Sequence, residues 1–514
     1  MHPLYLVGSI LLLTSFRGMA QPDTKRNLPT SRPSIRSVPT AAGQIQYLLE
    51  AGGLAASSAQ TPFWLRTNQF GTVPLRGSLG TLRFGVVRDY RAYPDSASRR
   101  QRRFDWGFGI NTVLNVGPKP TSRSPAVLLP DAYLKVRFGQ LELYGGNRRE
   151  VIGLGDTVLT SGFVAWSGNA LPFPKIQLHT PGFVPLGFTK KLLSLRVGYA
   201  HGWLTNTYIR GSYLHHKYLY GRVGKPNWRV RLYGGINHQV QWGGRAAYLV
   251  GMPLAINGNL PTSFKEYLSL VTGRYPDAIQ NDRFTDFDGT NRVGNHVGTY
   301  DLALEWNGRR RNWLLYHQHM YEDASGLALR NIPDGLTGLR FLNGKTNAVR
   351  LRLQRFVVEW LNTTNQSGPT FDGTLRYQGS DNYFNHSQYR EGWSYRGRTL
   401  GTPFIIPRTD FTPLVNNFTG GGFFPDNRVV AWYMAAEGVF KRGTRLTVRS
   451  SYSRNLGTFT QPYPKSFNQF STLLSAQWRF VKQPGITLTT SLALDRGELL
   501  PNTAGGYVSL KRYW

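Results

Sequence analysis

Segment after segment of this chain alternates apolar and polar residues strictly, and past the first twenty positions no apolar run is long enough to cross a bilayer as a helix. A helical span needs about 20 mostly apolar residues, whereas a barrel strand needs about 10 with its two faces alternating. In Trp228–Trp242 the residues Val230, Leu232, Ile236, Val240 and Trp242 share one face, and Arg229, Arg231, Tyr233, Asn237, Gln239 and Gln241 share the other. Ile486, Leu488, Leu492 and Leu494 oppose Thr487, Thr489, Ser491 and Asp495 in the same way. The pattern recurs at Leu193/Leu195/Val197/Tyr199, Tyr300/Leu302/Leu304/Trp306, Val349/Leu351/Leu353, and Leu446/Val448/Tyr452 against Arg445/Thr447/Arg449. A period of two with one polar face is the signature of a strand.

A soluble sandwich would alternate too, but three features favour a membrane barrel. Trp203, Tyr208, Tyr220, Trp228, Trp242, Trp306, Trp313 and Trp360 lie near strand ends, where interfacial girdles form. The polar faces are rich in Arg and Gln, which suit a wet lumen. Connections are either tight, as at Asn307-Gly308-Arg309 and Lys441-Arg442-Gly443, or long, as at 253–298 and 362–428. Short periplasmic turns and long extracellular loops produce that asymmetry. The fold class is therefore all-β: a transmembrane antiparallel β-barrel of about 16–18 passes. The closing segment, Gly505 to Trp514, looks like the aromatic-terminated last strand of bacterial outer-membrane barrels.

The N-terminus agrees. Leu4 to Phe16 is an apolar h-region and Gly18-Met19-Ala20 offers small residues for cleavage, so residues 1–20 read as a signal peptide. Residues 21–40, rich in Pro, Ser, Thr, Arg and Lys, read as a disordered periplasmic N-terminus, leaving 41–514 for the barrel and its loops. With no cysteine there is neither a lipoprotein anchor nor a disulfide.

The 61 Lys+Arg outnumber 28 Asp+Glu, a net charge of +33, so at least half the cations lack an acidic partner within the chain. Nucleic acid, lipopolysaccharide phosphates, or an anionic ligand in or above a barrel would each explain this. A nucleic-acid binder would carry basic helices or lysine-rich tails. Here the arginines sit singly at alternate strand positions, which points to a basic lumen and basic rims and away from nucleic acid.

Two stretches concentrate binding chemistry. Ser161 to Ile176 (SGFVAWSGNALPFPKI) sets Trp166, Ser167 and Asn169 in a glycine-rich turn that Pro172 and Pro174 close before a strand. Gly379 to Phe404 packs Asp381, Asn382, Tyr383, Tyr389, Trp393, Arg396 and Arg398 into one loop. Ring faces for stacking, amides for hydroxyls and guanidinium groups for uronate carboxylates make up a carbohydrate site. The bland alternative is a rigid corner for the first stretch and a self-packed loop plugging the barrel for the second. The candidate polysaccharide contacts are Trp166, Asn169, Asp381, Asn382, Tyr383, Trp393, Arg396 and Arg398.

These stretches, with Thr61-Pro-Phe-Trp-Leu-Arg-Thr-Asn-Gln-Phe-Gly71, Leu214-His-His-Lys217, Tyr233 to Gly244 and Glu359 to Gly368, resemble the outer-membrane capsule assembly proteins of the Wzi family, in order along most of the chain. The resemblance implies an 18-stranded outer-membrane barrel acting as a lectin that helps attach capsular polysaccharide or exopolysaccharide to the cell surface. Its partners would be that polymer, the outer membrane with its lipopolysaccharide, and the barrel-assembly machinery. Two features depart from the family: residues 21–60 are too short for the periplasmic helical bundle that enterobacterial members have, and Arg512 precedes the terminal Trp514 by two.

Signals for catalysis are weak. His317 and His319 share a strand face as a possible metal pair, but no third ligand follows at ligand spacing; His215 and His216 project to opposite faces. There is no nucleophile elbow, P-loop or zinc-protease helix, and Gly420 to Gly422 lacks the strand–helix setting of a phosphate cradle. Asp89, Asp105, Glu142, Glu150 and Asp156 are expected to pair with arginines. No cofactor or metal is expected, and the alternative to a lectin is an anion-selective porin.

Overall fold

The computed structural model describes residues 43–91, 104–117, 127–204, 206, 208–273, 285, 292–344, 351–372, 377, 379–417, 422–440, 443–481 and 483–514. The expected signal peptide (1–20) and N-terminal segment (21–40) lie outside the described residues, as do Val349, Gly420, Gly421, Lys441 and Arg442.

The described residues form eighteen barrel strands. The first six are β1 (Ile45–Ala56), β2 (Leu79–Arg88), β3 (Phe104–Val116), β4 (Val127–Phe138), β5 (Leu141–Asn147) and β6 (Lys175–His179), the last continued by Val184–Pro185. Next come β7 (Leu193–Leu204), β8 (Ser212–Val223), β9 (Val230–Trp242), β10 (Asn295–Asn307), β11 (Arg311–Tyr321) and β12 (Gly335–Asn343). The last six are β13 (Leu351–Asn362), β14 (Val429–Phe440), β15 (Arg445–Gly457), β16 (Pro462–Arg479), β17 (Ile486–Gly497) and β18 (Thr503–Tyr513). Each pairs antiparallel with its sequence neighbours, and β1 pairs with β18 from Leu48↔Tyr513 to Ala56↔Gly505, closing the cylinder. Closure leaves no unpaired edge, as a sheet in lipid requires. Trp514 completes the seam: it exchanges backbone hydrogen bonds with Tyr47, and the two rings stack at 6.0 Å. Arg512, beside it on the outer face, lies over the Trp514 ring at the rim, where a long cation reaches the interface.

The alternation maps onto the wall. Leu49, Phe84, Ile110, Leu134, Leu302, Leu315, Leu353, Met434, Leu474 and Leu492 point outward and are exposed, forming the apolar band. Arg231, Asn237, Gln239, Glu305, Gln318 and Glu437 point inward. Trp203, Trp228, Trp306 and Trp432 are exposed at the two rims, as girdle residues should be. Three expected girdle members are placed differently. Tyr220 points into the lumen and is fully buried, Tyr208 packs inside a loop, and Trp242 is covered from outside.

The cover on Trp242 is α2 (Phe264–Thr272), part of the connection 243–294. This loop folds back over the outer wall of β7–β9: Tyr267 contacts the rings of His201, His215 and Trp242, and the Lys217 ammonium donates to the Val271 carbonyl. Outward-facing polar residues on this part of the wall are thus shielded, while Phe264 and Leu268 face away and are exposed.

Tight connections, such as 139–140 and 308–310, share the end at which β1 begins and β18 finishes. The long ones, 57–78, 148–174, 243–294 and 363–428, share the opposite end. Three of these turn inward. α1 (Phe63–Arg66), the stretch around Phe163 to Phe173 and the loop from Tyr383 to Phe424 build one apolar cluster inside the barrel, joined by inward wall residues such as Tyr316, Val357 and Tyr433. The outer half of the lumen is therefore a packed core.

Candidate functional site

The plug is held by backbone-to-side-chain bonds that the alternation pattern supplies from the wall. Glu359 accepts from the Ser161 amide at 2.7 Å and from Thr160 and Tyr316 hydroxyls; Gln318 accepts from the Val164 amide. Arg449 donates to the carbonyls of Val158 and Thr160. At the other side Arg66 meets Asp410 at 2.5 Å, both almost fully buried. A buried pair of this kind adds little net stability, but removing one partner strands a buried charge.

The two stretches singled out in the sequence meet inside this plug. Ser167 donates to the Leu400 and Gly401 carbonyls through its amide and hydroxyl, and the Thr402 amide donates to Val164. The Trp393 indole N–H donates to the Ala165 carbonyl at 2.9 Å, and the Trp166 and Trp393 rings lie 6.5 Å apart. Two glycines permit this approach. A Cβ at Gly392 (φ 54°) would stand 1.9 Å from the Phe384 carbonyl oxygen, and one at Gly401 would stand 2.2 Å from that of Val164.

The eight candidate contacts divide by exposure. Trp393 and Tyr383 are 0 % exposed and Trp166 is 7 % exposed. The His216 ring stacks on Trp166 at 5.0 Å and the Lys175 ammonium lies 4.8 Å from its centre, and the Tyr383 hydroxyl donates to Asp334 while accepting from Asn331. In this conformation these rings turn no face to solvent, because they satisfy the apolar interior of the plug first. Asn169 is likewise buried, its amide reaching the Thr399 carbonyl. Asp381 accepts from Ser325 and Ser367, and burial beside Asp323 pushes its carboxyl up to about 7. Asn382 is exposed and accepts from Asn385 and Asn427.

Arg396 is exposed at the tip of a small hairpin, Ser394–Tyr395 with Arg398–Thr399. The tip pair Arg396-Gly397 has φ of 49° and 76°, the primed-turn geometry that closes a two-residue hairpin. Arg398, half-buried, donates to the Val73 carbonyl and lies 4.0 Å from Asp410. Burial and the neighbouring Arg66 charge lower it to about 10. One carboxylate thus serves two guanidinium groups.

Sequence reading missed three exposed or half-exposed cation–ring pairs carried by the extracellular loops. Arg390 lies over Tyr248 at 4.7 Å, Arg330 over Tyr377 at 5.0 Å and Arg428 over Phe459 at 4.0 Å. Their members are far apart in sequence, so no local motif could reveal them.

The carboxylates considered for acid–base work all have cations. Asp105 pairs with Arg88, Glu142 with Arg148 and Asp156 with Arg355, whereas Asp89 and Glu150 take lysines, Lys135 and Lys175, in place of the expected arginines. His215 points outward under α2 while His216 points inward onto Trp166, on opposite faces as expected. His317 bonds Thr337, His319 reaches the Gly326 carbonyl, and the described residues contain no group of three His, Cys, Asp or Glu suited to a metal.

The family model "Capsule assembly protein Wzi" matches residues 86–412, well over half of the chain. Among solved structures, the chain is similar to Wzi of Escherichia coli, described as an outer-membrane protein involved in group 1 capsule assembly and a carbohydrate-binding β-barrel. That match has a TM-score of 0.57 and 14 % identity, covering 90 % of this chain and 83 % of that one. OprD of Pseudomonas aeruginosa matches at a TM-score of 0.43 and 10 % identity, covering 91 % of this chain and 93 % of that chain. OccAB4 of Acinetobacter baumannii matches at 0.44 and 7 %, covering 93 % and 100 %. No curated protein sequence matches the chain.

Proposed function

The chain belongs to the capsule assembly protein Wzi family and resides in the outer membrane, and from that premise we propose that it is a non-enzymatic lectin. Its extracellular loop surface binds an acidic capsular polysaccharide and holds it at the cell surface. The observation that carries this reading is the pairing of exposed guanidinium groups with aromatic rings above a filled lumen. Arg390 over Tyr248 and Arg330 over Tyr377 offer a charge for a carboxylate beside a flat apolar face for a sugar ring. Arg396, Arg398 and Asn382 add donors at the same end of the barrel. Trp166, Asn169, Asp381, Tyr383 and Trp393 enter as the packing that fixes the loop bearing those donors.

The porin alternative requires an open path where the apolar plug lies. Lipopolysaccharide phosphates around the basic rims and the barrel-assembly machinery acting on the β18 terminus complete the proposed partners. The test is paired: binding of purified protein to immobilised uronate-bearing and neutral polysaccharides, with conductance in planar bilayers. The lectin reading expects salt-sensitive binding to the acidic polymer and electrical silence. Steady channels without polymer binding would replace it with the porin.

A further inference from the structure

A second basic site lies inside the barrel, beneath the plug and along the seam where the first and last strands meet. A cleft there is lined by Leu48 and Glu50 of β1, Arg83 of β2, Asn111 and Val113 of β3, Pro130 of β4, Thr72, Arg149, and Lys511 and Tyr513 of β18. Thr72 belongs to the plug, whereas Leu48 and Tyr513 are register partners near the end at which β1 begins and β18 finishes. The cleft therefore runs from the floor of the plug toward the periplasmic mouth.

Its charges do not cancel. Glu50 is taken by Lys511 at 3.0 Å and by the Tyr507 hydroxyl at 2.9 Å. Arg149 is taken by Asp131, which meets its guanidinium at 2.6 Å, accepts from its amide and also accepts from Asn111. Arg83 shares the field of Glu50 but has a buried Nε with no hydrogen-bond partner. Three cations thus face two carboxylates that are already engaged, and a donor in the wall is left over. Burying such a donor without an acceptor is costly, and an oxyanion would supply the acceptor. The free volume is about 60 Å3, room for roughly four to six waters at about 10–15 Å3 each. That space suits an anionic substituent and not a whole sugar ring. Further inward cations, Arg196 and Arg222, lie toward the same end of the lumen and favour anion entry from that side.

We propose that this seam cleft is a periplasm-facing oxyanion site, in which Arg83, with Arg149 and Lys511, receives a carboxylate or phosphate group. The site is separate from the extracellular loop surface, so a polyanion could be engaged on the inner side independently of retention outside.

The chain has no cysteine, so Leu48→Cys places a single thiol in the cleft of the full-length protein. The rate at which a small neutral thiol reagent labels it is read with tri-galacturonate, inorganic phosphate or maltotriose present. Tri-galacturonate should slow labelling several-fold and maltotriose should not. Adding Arg83→Gln should weaken that protection about tenfold or more in half-maximal concentration, as loss of a charge-assisted hydrogen bond implies, with heat-modifiability on a gel unchanged. Protection by phosphate as well would identify a general oxyanion site; protection by tri-galacturonate alone would identify an acidic sugar. Equal protection by maltotriose, no protection by either anion, or full protection retained in Arg83→Gln would overturn the proposal. Arg396→Gln should leave protection intact, which separates this site from the extracellular one.

Discussion

Replacing Trp393 separates packing from ligand stacking. Its side chain is fully buried, and a tryptophan removes about 150–250 Å2 from water, roughly 4–6 kcal/mol at about 25 cal/mol per Å2. Trp393→Ala also strips the Ala165 carbonyl of its 2.9 Å indole donor, a further cost of about 1–3 kcal/mol. The strands are not touched, so the loss falls on the plug. The variant should reach the membrane and stay heat-modifiable. Limited proteolysis should cut between 363 and 428 much faster than in the wild type, and ion conductance should appear in planar bilayers. Trp393→Phe keeps an aromatic, though smaller, ring and loses the donor, so it should sit between the two. A Trp393→Ala protein that resists protease and stays silent electrically, yet no longer binds polysaccharide, would show the ring to be a ligand face and refute the packing argument.

Asp381 should make the loop pH-dependent. Its folded pKa of about 7 lies above the ordinary carboxyl value of about 3.9, so the contribution is fully present below about pH 4 and is lost as pH rises through 7. Protease resistance of the 363–428 loop should fall over that window, and Asp381→Asn should flatten the profile. Asp410→Asn strands the buried Arg66 without its carboxylate and removes the nearby charge from the half-buried Arg398, and should cost about 3–5 kcal/mol, measured as a lower urea midpoint for plug proteolysis. Tyr267→Ala removes the ring that seats α2 on His201, His215 and Trp242; Trp242 should become accessible to an aqueous quencher, and an unchanged quenching constant would contradict the account.

Most of the barrel was legible because a strand's period of two is written locally. The runs at 230–242, 445–453 and 486–495 needed only their own residues to declare an inside and an outside, and Trp514 declared the seam. Lumen pairs such as Glu150 with Lys175 and Asp156 with Arg355 were legible only as a class, since the path of the 148–174 connection inside the barrel decides which cation meets which carboxylate. The covering of Trp242 by α2 was not legible, because a loop that folds back over the outer wall leaves the alternation beneath it unchanged. The site divides in the same way. The sequence identified the loops that meet, Ser161 to Ile176 and Gly379 to Phe404, since aromatics and glycines were dense there. It could not say which rings face inward: Trp393 and Tyr383 have the composition of a stacking platform, and only three-dimensional packing turns them into core. Arg390 over Tyr248 and Arg330 over Tyr377 join residues more than forty positions apart, a pairing that no spacing rule contains.

Retention of an acidic polysaccharide is proposed to rest on exposed guanidinium groups above a plugged outer-membrane barrel. The direct measurement is cell-bound against released polymer in a strain carrying Arg330→Gln, Arg390→Gln and Arg396→Gln together. Arg330, Arg390 and Arg396 are all exposed, so the fold should survive their replacement. Surface levels and heat-modifiability should be normal, with polymer shifted from the cells into the medium. Unchanged retention by the folded triple variant would contradict the proposal.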